Sequence, residues 1–402
     1  MQKRLLAVWI LAVVVSYIIS GDLGLGKFIV PLIVVASMAL LLEKFRLKNI
    51  EYFLFFSISI ASLLGLTQTL TGSHAESSNL LLFGLSFYTA SIAYLVANNK
   101  FNFAKVLSIS NPLLLSTGPI ALFFQCISHR GLKARFKYYF PFVIIGVFMF
   151  QVVGSPLTEF FFLLERTDVV LSIVFAAIFE LFVYMNFCGL SLLIYGIFGL
   201  IGYRIPLNFK QPFSSNNIVE FWRGWHTSLS QVLKVLFYQP LRARFSTFIA
   251  LMGVYVASAM WHGVTFNFLI WGTFHAFFFW FSIKLLKQRY SFLSFILMPF
   301  IIVVGRLIFA DSDTDRLLEK LTFSFSGFDV ISSLLNVPTH SLVALLIGAL
   351  IVSIEFAFRN TKVMQKRNYK FLRTPFALLA LCVLGVIFVS NEGVGFAVYG
   401  QR

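Results

Sequence analysis

Charged residues are scarce in this chain, since they make up only 12% of its 402 residues, whereas 59% of the residues are hydrophobic. A typical soluble domain is about 25% charged and about 45–50% apolar. The composition therefore excludes a soluble globular enzyme, a disordered chain and a collagen-like protein. Cysteine is also rare: Cys126, Cys188 and Cys382 all lie in apolar segments, without pairing or metal-ligand spacing. A disulfide-stapled module is therefore excluded, no metal site is predicted, and the three thiols are expected to be small buried residues.

Long apolar runs dominate the sequence, and they do not alternate with polar residues as the strands of a membrane barrel do. We therefore predict an all-α polytopic membrane protein, with a single integral membrane domain over residues 1–402. The first run is interpreted as a span and not as a signal peptide, because a second apolar run begins at Phe28. About eleven transmembrane helices are expected, near residues 5–20, 28–42, 51–70, 79–97, 138–154, 169–186, 246–262, 266–284, 290–309, 341–358 and 374–391.

Three stretches do not fit simple spans. Residues 106–126 contain Asn111-Pro112 and Gly118-Pro119, which interrupt a helix, so this segment is predicted to be re-entrant or in-plane. Residues 196–245 are mixed in character, and no clean span can be drawn through them. Residues 311–340 are expected to form an outer loop that contains an amphipathic helix, and residues 156–168 to form a further outer loop.

Basic residues outnumber acidic ones, with 32 Lys and Arg against 16 Asp and Glu. On a soluble protein this surplus would suggest nucleic acid, but on a membrane protein it indicates cytoplasmic loops next to anionic lipid. The basic segments 43–48, 98–105, 129–137, 284–289 and 359–373 all fall on one side of the predicted topology. We therefore expect membrane lipids, and no nucleic acid, as partners.

Three of the six histidines lie in apolar surroundings, where an ionisable group is costly and usually faces a cavity or a partner. His275 follows Trp271 by four residues and is expected to hydrogen-bond within helix packing. His262 ends an apolar run, and Gly263 after it leaves room beside the imidazole. Imidazole suits proton transfer because its unperturbed pKa is near neutrality. The remaining three lie in polar or basic loops and are expected to be solvated: His74, His129 and His340.

His226 lies in the segment Phe221-Trp-Arg-Gly-Trp-His226, which allows two interpretations. The aromatic residues could form an interfacial belt. Alternatively, Arg223 could bind a phosphate while His226 acts as a second acid or base. No G-x-S-x-G pattern lies near these histidines, so a covalent hydrolase mechanism has no support in the sequence.

Several motifs, taken in order, resemble the membrane-bound O-acyltransferase family. They are most similar to the bacterial branch that acylates cell-envelope polymers, as in alginate O-acetylation and teichoic acid D-alanylation. The resemblance covers residues 110–325, which hold the motif-bearing core. The matching pieces are Gly118-Pro-Ile120, Tyr184-Met-Asn-Phe-Cys-Gly-Leu-Ser191, Pro206-Leu-Asn-Phe-Lys-Gln-Pro212, the segment 221–230, Trp261-His-Gly263, Trp271-Gly272 and Phe309-Ala-Asp311.

The resemblance implies a ring of helices around a central tunnel, with His262 as the catalytic histidine and His226 as a second catalytic group. It implies an acyl thioester, acetyl-CoA or an acyl-carrier protein, as co-substrate, with no bound cofactor. It also implies the cell (inner) membrane of a bacterium, an envelope polysaccharide as acceptor, and possible cooperation with an extracytoplasmic SGNH-type transferase. Residues expected to bind substrate or donor are Trp222, Arg223, Trp225, Trp261, Asn208 and Asn186.

The chain also departs from the family pattern on the donor side of the expected tunnel. Lys234-Val-Leu236 stands where the alginate branch has Arg-Asp-Tyr, and two family aspartates appear as Asn186 and Leu192. Substrate identity is therefore left open between a polysaccharide, a lipid and a teichoic acid that receives D-alanine. A transporter or flippase for a lipid-linked saccharide is the alternative of another class, although the chain shows no paired repeats.

Overall fold

The structure, a computed structural model, describes residues 125–389 apart from 264, 323 and 326–336, together with 90, 91, 93–95, 97, 98, 114, 119 and 120. Three of the predicted spans, 5–20, 28–42 and 51–70, lie outside the described residues. So do His74, most of the predicted span 79–97 and most of the predicted re-entrant segment 106–126.

Helices account for most of the described chain. In chain order they are α1 (Leu132–Glu165), α2 (Val169–Ile201), α3 (Ile218–Gly224), α4 (Thr227–Leu233), α5 (Thr247–His262), α6 (Phe266–Lys287), α7 (Ser291–Ala310), α8 (Thr314–Leu321), α9 (Thr339–Ala357), α10 (Lys362–Gln365) and α11 (Pro375–Val389). A 3₁₀ turn covers Pro212–Ser214, and α4 continues through a π-helical turn at Lys234–Tyr238 into Gln239–Arg242.

Within the described residues, α1, α2, α6, α7 and α9 are long and apolar enough to cross a membrane. The shorter helices α5 and α11 are also apolar. These seven helices coincide with the seven predicted spans that begin at residue 138 or later. Between residues 202 and 245 the chain forms a two-residue strand and short helices but no span, as the mixed composition predicted. The predicted amphipathic helix is α8, in which Leu317 is buried while Leu318 is exposed.

Two predicted helix ends are wrong, because α1 and α2 each continue well past the expected limit. The first passes through a π-helical stretch at Phe148–Gly154 and a 3₁₀ stretch at Ser155–Glu165, where an outer loop was expected. The second passes through a π-helical turn at Tyr184–Cys188 and continues to Ile201. Polar residues in these stretches lower the hydropathy, but a buried helix tolerates them where neighbouring helices cover them.

Helices α1 and α2 pack with their backbones almost in contact. A Cβ atom at Gly146 would lie 2.4 Å from the backbone nitrogen of Leu193, and one at Gly189 would lie 2.6 Å from that of Phe150. Small residues at a helix crossing allow this close approach, which is common between membrane helices. The pair forms the wall against which the central segments 203–242 fold.

Side-chain caps fix where several helices begin. The Asp168 carboxylate accepts hydrogen bonds from the backbone N–H groups of Val170 and Leu171 at the start of α2. Asn217 caps α3 in the same way through Glu220 N–H, and Ser246 caps α5 through Ile249 N–H. Each cap satisfies a backbone donor that the first turn of a helix leaves without a partner.

Basic residues gather at one end of the helix bundle. Arg373 contacts the Tyr138 carbonyl and Arg135 the Leu200 carbonyl, while the Arg359 guanidinium lies 4.5 Å from the centre of the Phe295 ring. The start of α1, the end of α2, the start of α7 and the end of α9 therefore share one end, which we call the basic end. The opposite end carries Asp168, Asp311 and α8. The predicted grouping of segments 129–137, 284–289 and 359–373 is thus confirmed for their shared end.

A small antiparallel sheet joins the chain before α1 to the chain after α2, so the fold is mostly helical and not all-α. Strand β1 (Gln125–Cys126) pairs with strand β2 (Tyr203–Arg204), with Gln125 opposite Arg204 and Cys126 opposite Tyr203. The Ile127 N–H donates to the Gly202 carbonyl at 2.8 Å and extends the pairing. The end of the segment predicted to be re-entrant is therefore a strand at the basic end.

Candidate active site

A cavity of about 1020 Å³ lies between the long helices and the central segments. Its lining begins at the basic end with Arg204, Lys210, Lys366 and Arg367. It ends among residues from the last turns of α5 and α7 and the first turns of α6, namely His262, Trp271, Arg306 and Phe309. The cavity therefore links the basic end to a polar and aromatic group of side chains deep in the bundle.

His262 is the last residue of α5, and the backbone at Gly263 explains why the helix stops there. Gly263 has a φ of 156° and a ψ of 165°, a conformation that is accessible only to glycine. The His262 ring centre lies 4.9 Å from that of Phe309 and 5.6 Å from that of Trp271. Among the described residues, no side chain hydrogen-bonds to the imidazole, so its nitrogens are available to a ligand in the cavity.

His226 also lines the cavity, and its backbone adopts the left-handed conformation with a φ of 42°. Its Nδ1 accepts a hydrogen bond from the Leu229 N–H at 3.3 Å, so the imidazole is the N-cap of α4. A nitrogen that accepts an N–H carries no proton, which assigns the proton of the neutral ring to Nε2. Burial and, second, the charge of His262 lower the pKa of His226 to about 3. The ring is therefore neutral at physiological pH and has Nε2–H as its donor.

Asn208 holds the segment around His226 but does not line the cavity. Its Oδ1 accepts a hydrogen bond from Ser228 Oγ at 2.7 Å, and its backbone carbonyl accepts one from the Thr227 N–H at 2.8 Å. Its Nδ2 donates to Ser191 Oγ on α2 at 3.3 Å. The predicted binding residue Asn208 thus fixes the start of α4 against α2.

The other predicted binding residues divide into two groups. Trp222, Arg223 and Trp225 line the cavity, with Trp225 buried and Arg223 exposed. Trp261 does not line it, because its side chain packs in a separate apolar cluster with Leu229 and Val232. Asn186 is fully buried in the π-helical turn of α2 and is likewise absent from the lining.

His275 packs among aromatic rings beside the cavity. Its ring centre lies 4.9 Å from that of Trp222, 5.0 Å from that of Trp271 and 6.1 Å from that of Tyr255. Nδ1 of this ring has no hydrogen-bond partner among the described residues. The expected hydrogen bond within helix packing is therefore not found at Nδ1, and the described contacts of His275 are with aromatic rings.

Arg306 and Glu180 are the residues of this region that sequence reasoning missed. Arg306 lines the cavity, and its Nε donates to Glu180 Oε2 at 2.5 Å, joining α7 to α2. The guanidinium centre lies 5.1 Å from the centre of the Phe309 ring. A signal was present, because Arg306 is the only Asp, Glu, Lys or Arg in α7 and Glu180 the only one in α2. An isolated charge inside an apolar span usually marks a functional pathway.

The cavity lining is strongly one-sided in charge. Its described residues include seven Lys and Arg but no Asp or Glu. Part of this charge is balanced from outside the lining, since Glu220 pairs with Arg367 at 3.1 Å. A lining of this kind attracts anionic ligands such as phosphates. The basic residues are Arg204, Lys210, Arg223, Lys234, Arg306, Lys366 and Arg367.

A group of buried, hydrogen-bonded polar side chains holds the segment that carries Lys366 and Arg367 to the cavity. The Tyr369 N–H donates to Gln211 Oε1 at 2.8 Å, and the Tyr369 hydroxyl lies 3.1 Å from Cys188 Sγ. The Tyr184 hydroxyl donates to Glu355 Oε1 at 2.8 Å. The Tyr369 contacts tie the chain after α10 to α2 and to the segment that follows α2, and the Tyr184 contact ties α2 to α9. Among the described residues, no group of three or more His, Cys, Asp or Glu could hold a metal ion.

Comparison with known proteins finds similar sequences among acyl-transferring enzymes. Residues 160–310 match the model of the membrane-bound O-acyltransferase family. The "Probable alginate O-acetylase" of Pseudomonas aeruginosa is 27% identical over 308 residues, covering 68% of this chain and 57% of the relative. The teichoic acid D-alanyltransferase of Bacillus subtilis is 21% identical over 309 residues, covering 67% and 78%.

A peptidoglycan O-acetyltransferase of Helicobacter pylori is 36% identical over a shorter stretch of 96 residues, covering 23% of this chain and 18% of the relative. The chain spans between 19% and 57% of the lengths of the alginate O-acetylases it matches. The matched family region, 160–310, contains His226, His262, Glu180 and Arg306.

Proposed function

We propose that the chain transfers an acetyl group from a thioester to a hydroxyl of an envelope polysaccharide, since residues 160–310 match the model of the membrane-bound O-acyltransferase family and five described helices are long and apolar enough to cross a membrane. One observation carries the proposal: His262 stands at the inner end of a cavity that begins among basic residues. The acetylated product is either the polysaccharide itself or an SGNH-type transferase that passes the group on outside the inner membrane.

In the proposed reaction, His262 removes the proton of the acceptor hydroxyl while the oxygen attacks the thioester carbonyl carbon. The tetrahedral intermediate then expels the thiolate, and the imidazolium returns its proton to the sulfur. General-base assistance of this kind contributes about 10²–10⁴-fold in rate. His226 contributes its Nε2–H as a hydrogen-bond donor that orients the acyl carbonyl, because Nδ1 is already used as a helix cap.

The donor is proposed to enter from the basic end, which we assign to the cytoplasm. Loops rich in Lys and Arg are retained on the cytoplasmic side of inner-membrane proteins. Acetyl-CoA is the preferred donor, since its phosphates match the basic lining at Arg204, Lys210 and Arg367. The apolar wall formed by Trp222 and Trp225 suits the uncharged arm that carries the thioester.

D-Alanyl transfer to a teichoic acid is the second candidate function. The observation in its favour is the share of each relative that the match covers. This share is 78% for the Bacillus subtilis D-alanyltransferase and 57% for the Pseudomonas aeruginosa alginate relative. The two candidates differ in donor and product, so the same vesicles supplied with radiolabelled acetyl-CoA or with a D-alanyl carrier protein distinguish them.

The test uses the purified full-length protein in lipid vesicles, with labelled acetyl-CoA and bacterial envelope polysaccharide as substrates. His262→Ala is expected to lower transfer about 10²–10⁴-fold, since it removes the base. His129→Ala is the matched control, because His129 is exposed at the basic end and lies outside the cavity lining. Transfer by His262→Ala within threefold of the parent protein would refute the assignment.

A further inference from the structure

Arg306 and His262 meet at the inner end of the cavity, on the same aromatic side chain. The centre of the Phe309 ring lies 4.9 Å from the His262 ring centre and 5.1 Å from the Arg306 guanidinium centre. Both side chains also line the cavity. The two distances place the guanidinium centre at most about 10 Å from the His262 ring centre, so a ligand held between the two side chains can contact both.

Glu180 holds the guanidinium through one nitrogen and leaves the rest available. Nε of Arg306 donates to Glu180 Oε2, and the carboxylate lies on α2, behind the cavity lining. Among the described residues, the two terminal amino groups of Arg306 have no hydrogen-bond partner, although the side chain is only 8% exposed. Since these amino groups belong to a cationic side chain that lines the cavity, a ligand there can accept hydrogen bonds from them.

Free donors on a cation at the cavity suit the charge that develops during acyl transfer. When the acceptor oxygen adds to the thioester carbon, the C=O π electrons move to the carbonyl oxygen, which becomes an oxyanion. They return when the carbon–sulfur bond breaks and the thiolate leaves. Fixed donors aimed at this oxygen stabilise the transition state more than the ground state. A guanidinium supplies two parallel N–H groups and a full charge for this purpose.

We propose that Arg306 is a catalytic residue that binds the carbonyl oxygen of the acyl donor and stabilises the oxyanion, and that Glu180 is its positioning residue. The inference rests on the proposed function, because it requires an acyl carbonyl in the cavity beside His262. His226 is the neutral donor at the same carbonyl, and Arg306 supplies the charge.

A purely structural role makes a different prediction. If Arg306 serves only to neutralise Glu180 and hold α7 to α2, removing both charges together should restore a normal protein. If Arg306 acts on the oxyanion, the double variant should fold and remain slow. The variants are Arg306→Gln, Arg306→Lys and the double variant Glu180→Gln with Arg306→Gln, assayed in the acetyl-transfer vesicles.

Arg306→Gln and the double variant are both expected to lower kcat about 10²–10³-fold, the usual loss when an oxyanion donor is removed, with KM for acetyl-CoA within threefold. Arg306→Lys keeps the ion pair but lacks the paired N–H groups, so its kcat should fall at least about tenfold. Added guanidinium ion should partly restore kcat in the double variant. Arg359→Gln is the matched control, since Arg359 also lies over aromatic rings, at Phe295 and Phe356, but outside the cavity lining.

Two outcomes separate this inference from the proposed function. A double variant with kcat within threefold of the parent protein overturns the role of Arg306, while acetyl transfer that depends on His262 leaves the proposed function standing. A parent protein that transfers no acyl group overturns the proposed function first. A normal kcat in Arg306→Lys likewise contradicts a need for the paired N–H groups.

Discussion

The two nitrogens of His226 have separate tasks. Nδ1 is committed to the backbone, because it accepts the Leu229 N–H and begins α4. The backbone at this position is left-handed, with a φ of 42°, a conformation that glycine adopts readily and that asparagine, aspartate and histidine adopt more often than other residues. Asparagine can therefore adopt the same backbone, supply the cap through its side-chain oxygen and present an amide N–H as donor.

This division of tasks predicts different outcomes for two substitutions at His226. His226→Ala removes the cap and the donor, so acetyl transfer should fall about 10²-fold and the free energy of unfolding by about 1 kcal/mol. His226→Asn should keep the stability of the parent protein and transfer at least about tenfold faster than the alanine variant. Turnover rates and melting temperatures in detergent provide the comparison. Equal inactivity of both variants, with both folded, would instead indicate that His226 moves a proton.

At the residue scale, the sequence predicted which segments form the cavity better than which side chains line it. Of the predicted site residues, those that line the cavity are His226, His262, Trp222, Arg223 and Trp225. Trp261 is not, because consecutive residues of a helix point about 100° apart, so the neighbour of His262 faces another cluster. Asn186 and Asn208 are buried polar residues, and polarity alone does not distinguish a residue that binds from one that positions the chain.

At the scale of the element, one buried aspartate anchors α8 to the long helices. Asp311 is fully buried and pairs with Arg316 at 2.7 Å and with Lys320 at 2.6 Å. Lys320 Nζ also donates to the carbonyl of Leu164 at the end of α1. Burial raises the pKa of Asp311, but the hydrogen bonds and charges of Arg316 and Lys320 outweigh burial and leave the pKa below its usual value.

A lowered carboxyl pKa has a defined consequence for the dependence of stability on pH. The contribution of Asp311 is complete above the pKa of about 3.9 that the unfolded chain has, and it is lost as the pH falls through the lower folded value. Protection of α8 amides against hydrogen exchange should therefore persist at pH 5. Asp311→Asn should lose this protection already at pH 7, by about 3–5 kcal/mol, because Lys320 then remains buried without its partner.

Asp315→Asn is the control for this effect, since Asp315 is exposed on the same helix. It should leave the protection of α8 almost unchanged. A normal exchange pattern in Asp311→Asn would show that α8 is held by apolar contacts, such as that of the buried Leu317, and not by the ion pairs.

The helices could be predicted from the sequence where apolar runs are long. The residues at which they end were predicted less well. Hydropathy located α5, α6, α7 and α9 to within a few residues. It misplaced the ends of α1 and α2, because glycines and polar groups such as Asn186 resemble a break although neighbouring helices cover them. The strands at Gln125–Cys126 and Tyr203–Arg204 are too short to show the alternation of apolar and polar residues by which a strand is recognised.

At the scale of the whole molecule, the distribution of charge bears on how the proposed donor would reach the site. Arg204 and Lys210 come from the segment after α2, Lys366 and Arg367 come from the segment after α10, and all four line the same cavity. No single segment contains this group, so the sequence predicted a basic side of the protein but not a basic cavity. Folding alone brings these residues together.

Charge reversal in this region should weaken donor binding and leave the chemistry intact. Lys366→Glu and Arg204→Glu are each expected to raise KM for acetyl-CoA about tenfold at low salt, with kcat within twofold, because only ground-state attraction to phosphate is lost. The effect should shrink at high ionic strength. Arg130→Glu, an exposed residue of the basic end outside the cavity lining, is the matched control. An equal KM increase in that control would point to attraction by the whole surface.

The Arg306–Glu180 pair also matters for attempts to raise the thermal stability of this protein. Exchanging a buried ion pair for well-packed apolar side chains is often neutral or stabilising, by about 1–4 kcal/mol. A screen that selects only for a higher melting temperature would therefore favour leucine or methionine at these two positions. We expect the selected variants to be stable but inactive. The pair joins α2 to α7 at the inner end of the cavity. Thermal stability and the proposed catalysis therefore favour different side chains at these two positions.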